Sequence, residues 1–200
     1  FNHVQVGKGY ALDFMLKSIA RDYGPDAYEG YFVFDADNLL EENFVREMNK
    51  WFDQGYRVLT SFRNSKNYAS NWLSAGYSLW FMRESRYLNY PRMLLGTSCA
   101  ISGTGFLVHN DIIRKNNGWK HHLLTEDIEF SVDCVINGEK IGYCHTAVVY
   151  DEQPCTWSQS WTQRLRWAKG FYQVFGRYYK QLIYGFSIKG QFGCYDMFMT

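Results

Sequence analysis

The sequence predicts one continuous α/β domain, and three observations carry the prediction. Short apolar runs bounded by turn residues alternate with longer stretches whose apolar residues recur at helical spacing. The 200 residues are 46% hydrophobic and 20% charged, the profile of a folded chain with a core of real size. No repeat or low-complexity segment interrupts the alternation.

The elements follow in order. Leu12, Met15, Leu16, Ile19, Ala20 and Tyr23 give one apolar helical face from about Tyr10 to Tyr23, and Gly24-Pro25 ends it. Tyr31-Phe32-Val33-Phe34 is an unbroken apolar run between Gly30 and Asp35, read as a strand buried on both faces as in a parallel sheet. Phe44, Val45, Met48, Trp51 and Phe52 mark a second helix, Arg57 to Phe62 a strand, and Tyr68 to Leu88 an aromatic-rich helix. Ile101 to His109 reads as a glycine-containing loop entering a strand. Thr125 reads as an N-cap with Glu126 and Asp127 in the first turn of a helix that Gly138 stops. Lys140 to Tyr150 is the next strand. Ser158 to Ile183 is a long helix with Trp161, Leu165, Ala168, Phe171, Tyr172, Phe175 and Tyr179 apolar and Arg164, Lys169, Arg177 and Lys180 basic.

Composition limits function. A net charge of +1 lacks the basic excess of a nucleic-acid binder. Cys99, Cys134, Cys144, Cys155 and Cys194 are odd in number, scattered and free of any C-x-x-C, so they read as reduced thiols with no zinc site and no disulfide framework. Aromatic residues reach 19%, which suits core packing, a sugar-stacking surface or a membrane-facing side. No apolar run is long enough to span a bilayer. The opening Phe1-Asn2-His3 and the apolar ending Tyr195 to Thr200 are what a piece of a longer chain would show.

Four motifs carry chemistry. Asp35-Ala36-Asp37 follows a buried strand, where ligands of α/β sheets sit. Two such carboxylates suit Mg²⁺ or Mn²⁺ completed by substrate phosphates, or simply a turn that caps the next helix. A calcium loop fits worse, since Leu40 and Arg46 stand where it needs Gly and Glu. Thr125-Glu126-Asp127 is a capped helix start, or it offers Asp127 as a general base. Gln163, Arg166 and Trp167 share one helix face, where Arg166 can clamp a diphosphate and Trp167 can support a sugar; an interfacial helix with a snorkelling Arg is the alternative. Gly7-Lys8-Gly9 lacks Walker spacing; Lys8 meets a phosphate at a helix start or lies in a surface turn.

In combination, Lys8, the D-x-D of Asp35 and Asp37, the T-E-D ending at Asp127 and the Q-x-x-R-W of Gln163, Arg166 and Trp167 resemble the family 2 glycosyltransferases from about Val4 to Tyr184. The likeness is greatest to the processive group of cellulose, chitin and hyaluronan synthases and bacterial exopolysaccharide N-acetylglucosaminyltransferases. The resemblance implies a GT-A fold, a mixed sheet flanked by helices. It implies Mg²⁺ or Mn²⁺ on Asp35 and Asp37, Asp127 as catalytic base, and donor or acceptor binding by Lys8, Asp35, Gly103, Thr104, Glu126, Gln163, Arg166 and Trp167. It implies an inverting hexosyltransferase taking N-acetylglucosamine, or else glucose, from a UDP-sugar to the end of a β-linked polysaccharide. Residues 1–184 would form the catalytic domain, with an interfacial helix over 158–183 on the cytosolic face of a membrane. Residues 185–200 would lead toward a transmembrane segment outside this sequence.

The sequence departs from the family in two ways. No counterpart of the family's first nucleotide-binding strand and loop is present, so that part is incomplete, and Ala11-Leu12-Asp13 stands where A-L-N is common. Two further readings compete: a non-catalytic sugar-nucleotide sensor or scaffold, and a metal-dependent nucleotidyltransferase. The latter gives no reason for the Q-x-x-R-W motif.

Overall fold

In the computed structural model, which describes residues 7–199, the alternation becomes a five-stranded mixed sheet with helices on both faces. The opening Phe1-Asn2-His3, the start of the resemblance at Val4 and the closing Thr200 lie outside the described residues. The elements are α1 (Lys8–Tyr23), β1 (Gly30–Val33), β2 (Leu39–Leu40), α2 (Phe44–Phe52), β3 (Val58–Ser65), α3 (Trp72–Arg83), a π-helical turn (Glu84–Asn89), α4 (Tyr90–Leu94), β4 (Phe106–His109), α5 (Asn110–Lys115), α6 (Glu126–Ile136), β5 (Ile141–Asp151), α7 (Trp157–Ser187) and α8 (Phe192–Met199).

Strand order is β1-β4-β3-β5-β2. β3 and β5 run parallel, while β4 is antiparallel to both β1 and β3. β1, β3 and β5 therefore point the same way, and their carboxyl ends share one edge of the sheet with the amino end of β4. Side chains alternate across the strands. Val58, Phe106, Val108 and Tyr143 pack with Leu12 and Leu16 of α1, Ile112 of α5 and Phe130 of α6. Leu59, Leu107, Cys144 and Val149 pack on the other face with Phe44 and Met48 of α2. Asp13, the departure from A-L-N, ties α1 to the sheet side: its Oδ1 accepts from the Trp119 amide at 3.0 Å.

Three sequence expectations need correction. The Tyr31–Phe34 run is not a doubly buried strand of a parallel sheet. β1 lies at one end of the strand order, pairs antiparallel with β4, and buries only Val33. The helix expected over Tyr68–Leu88 starts later, at Trp72, where Asn71 closes a capping box with Ser74, and it loosens into the π-helical turn at Glu84. Thr125 precedes α6 but makes no side-chain cap bond, and its Oγ1 is buried without a hydrogen-bond partner. The long helix expected over Ser158–Ile183 is α7, Trp157–Ser187. Its buried residues are Ser160, Gly170, Val174, Tyr178, Leu182 and Gly185, while Trp161, Leu165, Phe171, Tyr172 and Phe175 are exposed.

α6 and α7 pack through Val132, Val135, Val174 and Leu182, and two further contacts fix how closely they approach. A Cβ on Gly170 would stand 2.6 Å from Thr125 Cγ2, so the helices approach as only glycine permits. One turn further on, Glu129 is fully buried; it accepts from the Leu123 amide at 3.0 Å and from Tyr178 Oη at 3.2 Å, and Arg177 Nη1 stands 3.3 Å away. α8 closes the far end, its buried Cys194 packed on Gly185. All five cysteines are free thiols, four of them buried. Among the described residues no helix is long and apolar enough to cross a membrane.

Candidate active site

The shared carboxyl edge of β1, β3 and β5 assembles the motifs, as expected for open α/β sheets. Two residues after β1, Asp35 receives Lys8 Nζ at 2.5 Å, and the same ammonium donates to Gly103 O at 2.6 Å. The start of α1, the loop after β1 and the loop before β4 thus meet on one cation. The Asp35 amide donates to Thr104 Oγ1 at 3.0 Å and to Asn38 Oδ1 at 3.1 Å, and Thr104 Oγ1 also donates to Asn38 Oδ1. Asp37 is exposed, and its carbonyl accepts from Lys66 Nζ at 2.6 Å.

Gly103 lies between the D-x-D loop and the T-E-D helix. Its φ of +83° is a conformation that side-chain-bearing residues avoid, and a Cβ there would sit 3.5 Å from Asp127 Oδ2. Ser131 binds the same loop to α6: its Oγ accepts from the Ile101 amide at 2.9 Å and donates to Asp127 O at 2.8 Å.

The electrostatics are those of a crowded acidic pocket. Burial pushes the Asp127 carboxyl above the usual carboxylate range, while the Ile128 amide, Arg63 and Lys8 pull it back. Glu126 is pushed up to about 7 by burial and then by the neighbouring charge of Asp127, with Lys8 and Arg166 opposing. Glu84, in the π-helical turn, is pushed up to about 7 by burial; Arg63 lowers it and Asp127 raises it. Both predicted cations, Lys8 and Arg166, therefore act on the acids that begin α6.

The Q-x-x-R-W residues of α7 differ in exposure and in their link to this edge. Arg166 is exposed, and Gln163 is half-buried with Oε1 lacking a partner. Trp167 packs edge-on against Tyr77 and Phe81 of α3, at 5.8 and 6.0 Å between ring centres. Phe81 in turn carries the Arg63 guanidinium 3.7 Å above its ring, so the indole is linked to the pocket through one aromatic side chain. One apolar groove, of about 290 Å³ between α1 and β1, contains none of these residues.

Comparison with known proteins bears directly on this arrangement. The model of the family described as "Glycosyl transferase family group 2" matches residues 32–195, which includes D-x-D, T-E-D and Q-x-x-R-W. The chain belongs to this glycosyltransferase family. It is 28% identical over 142 residues to the "Probable glycosyltransferase YdaM" of Bacillus subtilis, covering 70% of this chain and 30% of that protein. It is 26% identical over 149 residues to the β-monoglucosyldiacylglycerol synthase of Synechocystis, covering 74% and 31%. It is 25% identical over 170 residues to the poly-β-1,6-N-acetyl-D-glucosamine synthase of Staphylococcus aureus, covering 84% and 39%. The chain spans about a third of the length of such relatives.

For a family 2 glycosyltransferase, the mixed sheet with helices on both faces is the expected GT-A-like architecture. Asp35 and Asp37 offer hard oxygen donors two residues apart on a solvent-reachable loop, which fits a cation that takes one or two carboxylates and completes its shell with phosphate and water. Among the described residues no three His, Cys, Asp or Glu side chains gather to hold a metal by themselves.

The motifs did not point to Arg63, Asp151 or Glu84. Arg63 stands two residues before the end of β3 and Asp151 ends β5, and both are buried. A buried charge at a strand's carboxyl end is a legible signal, but only once burial is known. The sequence reading ended the first of these strands at Phe62, three residues short, and the second at Tyr150, one residue short, and so left both charges outside.

Proposed function

We propose that this glycosyltransferase moves a hexose from a UDP-sugar to an acceptor sugar with inversion at the anomeric carbon. N-acetylglucosamine is the first candidate sugar and glucose the second, in keeping with the poly-N-acetylglucosamine and monoglucosyldiacylglycerol synthases among its relatives. The observation that carries the reading is the meeting of Lys8, Asp35 and Asp127 around Gly103 in a member of this family.

Asp127 takes the proton of the acceptor hydroxyl. The hydroxyl oxygen bonds to the anomeric carbon from the face opposite the diphosphate, whose bond to that carbon breaks, so an α-linked donor yields a β-linkage. Lys8 and Arg166, the cations whose charges oppose the upward shift of Glu126, meet the departing diphosphate. A Mg²⁺ or Mn²⁺ held by Asp35 and Asp37 would neutralise charge on that diphosphate when bound. Gln163 and Trp167 are the candidates for holding the acceptor.

We also infer that α7 faces a membrane surface. Trp157, Trp161, Leu165 and Tyr172 are exposed together with Arg164 and Lys169 on this 31-residue helix, the mixture of aromatic and basic groups that suits an interface.

The test is nucleoside-diphosphate release by the protein carrying this chain, over a panel of sugar nucleotides with Mg²⁺ or Mn²⁺. Asp127→Asn is expected to lower kcat by about 10²–10⁴-fold, the usual contribution of general-base catalysis. Near-wild-type turnover in that variant would remove Asp127 from its role. Donor binding without release from any donor would favour the sensor or scaffold reading, and pyrophosphate release the nucleotidyltransferase.

A further inference from the structure

Arg63 takes no part in the mechanism above, yet its guanidinium is engaged on every side. Nε donates to Asp151 Oδ2 at 3.0 Å and Nη2 pairs with the same oxygen. Nη1 donates to Ser102 O at 2.7 Å, and the planar face lies over Phe81. Asp151 is shared in turn. It accepts from Asn38 Nδ2 at 3.2 Å and from Gln153 Nε2 at 3.2 Å. Asn38 is the residue whose Oδ1 accepts from the Asp35 amide. An unbroken chain of hydrogen bonds therefore runs from Ser102, through Arg63, Asp151 and Asn38, to the backbone of Asp35.

The same guanidinium faces the base. A Cβ placed on Gly103 would lie 3.7 Å from Arg63 Nη1 and 3.5 Å from Asp127 Oδ2, so the two groups look at each other across a residue without a side chain. Other charged groups facing Asp127 are Lys8 from α1, Glu84 from the π-helical turn and Glu126 on its own helix. A buried ion pair is weak evidence of a contribution to stability, since apolar replacements of similar volume are often tolerated. The placement of this pair calls for another reason.

We propose that Arg63 is a positioning residue of the transfer site, holding the Ser102–Gly103 turn and the D-x-D loop in one frame and presenting a fixed positive charge to Asp127. The proposal rests on the glycosyltransferase reading. It separates two functions of one side chain. Its charge acts on the base, and its fork, through Asp151 and Asn38, acts on donor binding.

The experiment compares Arg63→Met, Arg63→Lys and Asp151→Asn with wild type and Asp127→Asn in the protein carrying this chain. Nucleoside-diphosphate release is followed against pH and donor concentration, with thermal unfolding measured alongside. Removing an opposite charge raises a carboxyl pKa, and the base must be ionised to act. Arg63→Met should therefore move the acidic limb of kcat/KM upward by about one pH unit. Arg63→Lys should keep the limb near its wild-type position while losing rate, because an ammonium cannot reproduce the bidentate fork. Asp151→Asn keeps the charge beside the base, so it should raise the donor KM about 10-fold with no upward shift of the limb.

An Arg63→Met enzyme whose rate falls with the limb unmoved would overturn the proposal in favour of a purely structural role. So would a wild-type donor KM in Asp151→Asn, which also serves if Arg63→Met fails to fold. A wild type that releases no nucleoside diphosphate sinks the glycosyltransferase reading and this inference with it; an active wild type with an unmoved limb sinks the inference alone.

Discussion

At the residue scale, the pocket gathers carboxyls whose protonation is costly to reverse. Glu84 and Glu126 are each pushed up to about 7, burial being the largest cause for both. In the folded protein such a group keeps its proton to higher pH than in the unfolded chain. Its contribution to stability is then fully present below the unfolded value of 4.5 and is lost as pH rises through about 7. The opposite sign holds for Asp133, which is held low by His121 and Lys120 against the cost of burial, and whose contribution is lost only in acid. The windows do not overlap. Wild type is thus expected to show a lower denaturation midpoint at about pH 8 than at about pH 5.5, and Glu84→Gln to narrow that difference. Urea melts at the two pH values check it; an unchanged gap in Glu84→Gln would show that the carboxyl does not titrate in this range. The motif residues themselves were legible because their chemistry and order are local to the sequence. Glu84 was not, because its environment is made by Arg63 and Asp127 from other elements.

At the scale of elements, α7 shows what periodicity can and cannot say. The helix was evident, but the apolar residues singled out in it do not form its packing seam. The seam instead repeats Gly170, Val174, Tyr178 and Leu182 at four-residue spacing, and small residues let it lie close to α6 and α8. That repeat is visible in the sequence, but two of its four members are glycine and valine, whose small size draws no attention to them. Two glycines of the one helix make the point measurable. Gly170→Ala drives a methyl into Thr125 and is expected to destabilise the fold by about 1–3 kcal/mol. Gly176→Ala meets nothing within 4 Å on the exposed side and should stabilise by about 0.5–1 kcal/mol. Chemical denaturation of the pair decides it: equal effects would mean that α7 does not approach α6 so closely. The π-helical turn after α3 was read as ordinary helix, since a widened turn leaves no mark on apolar spacing.

At the scale of the whole molecule, one sheet edge carries the candidate chemistry and one long helix carries an exposed aromatic and basic face. If that face meets a membrane, the chain should co-sediment with vesicles of mixed phosphatidylcholine and phosphatidylglycerol. Replacing both Trp157 and Trp161, which stack 6.4 Å apart, with Ala should then weaken the binding several-fold. Equal co-sedimentation of the two proteins would assign the tryptophans another partner. By itself, the sequence determined the alternation of strands and helices, the order of the motifs and the family they belong to, because element type depends on local periodicity and motif identity on local chemistry. Only the tertiary structure decided that β1 runs antiparallel to β4, that Arg63 and Asp151 stand between the two acidic motifs, and that α7 packs through Gly170, Val174, Tyr178 and Leu182. Those outcomes depend on which strands pair and how closely helices approach. Partner choice and packing distance are long-range quantities, and neither leaves a periodic trace along the chain.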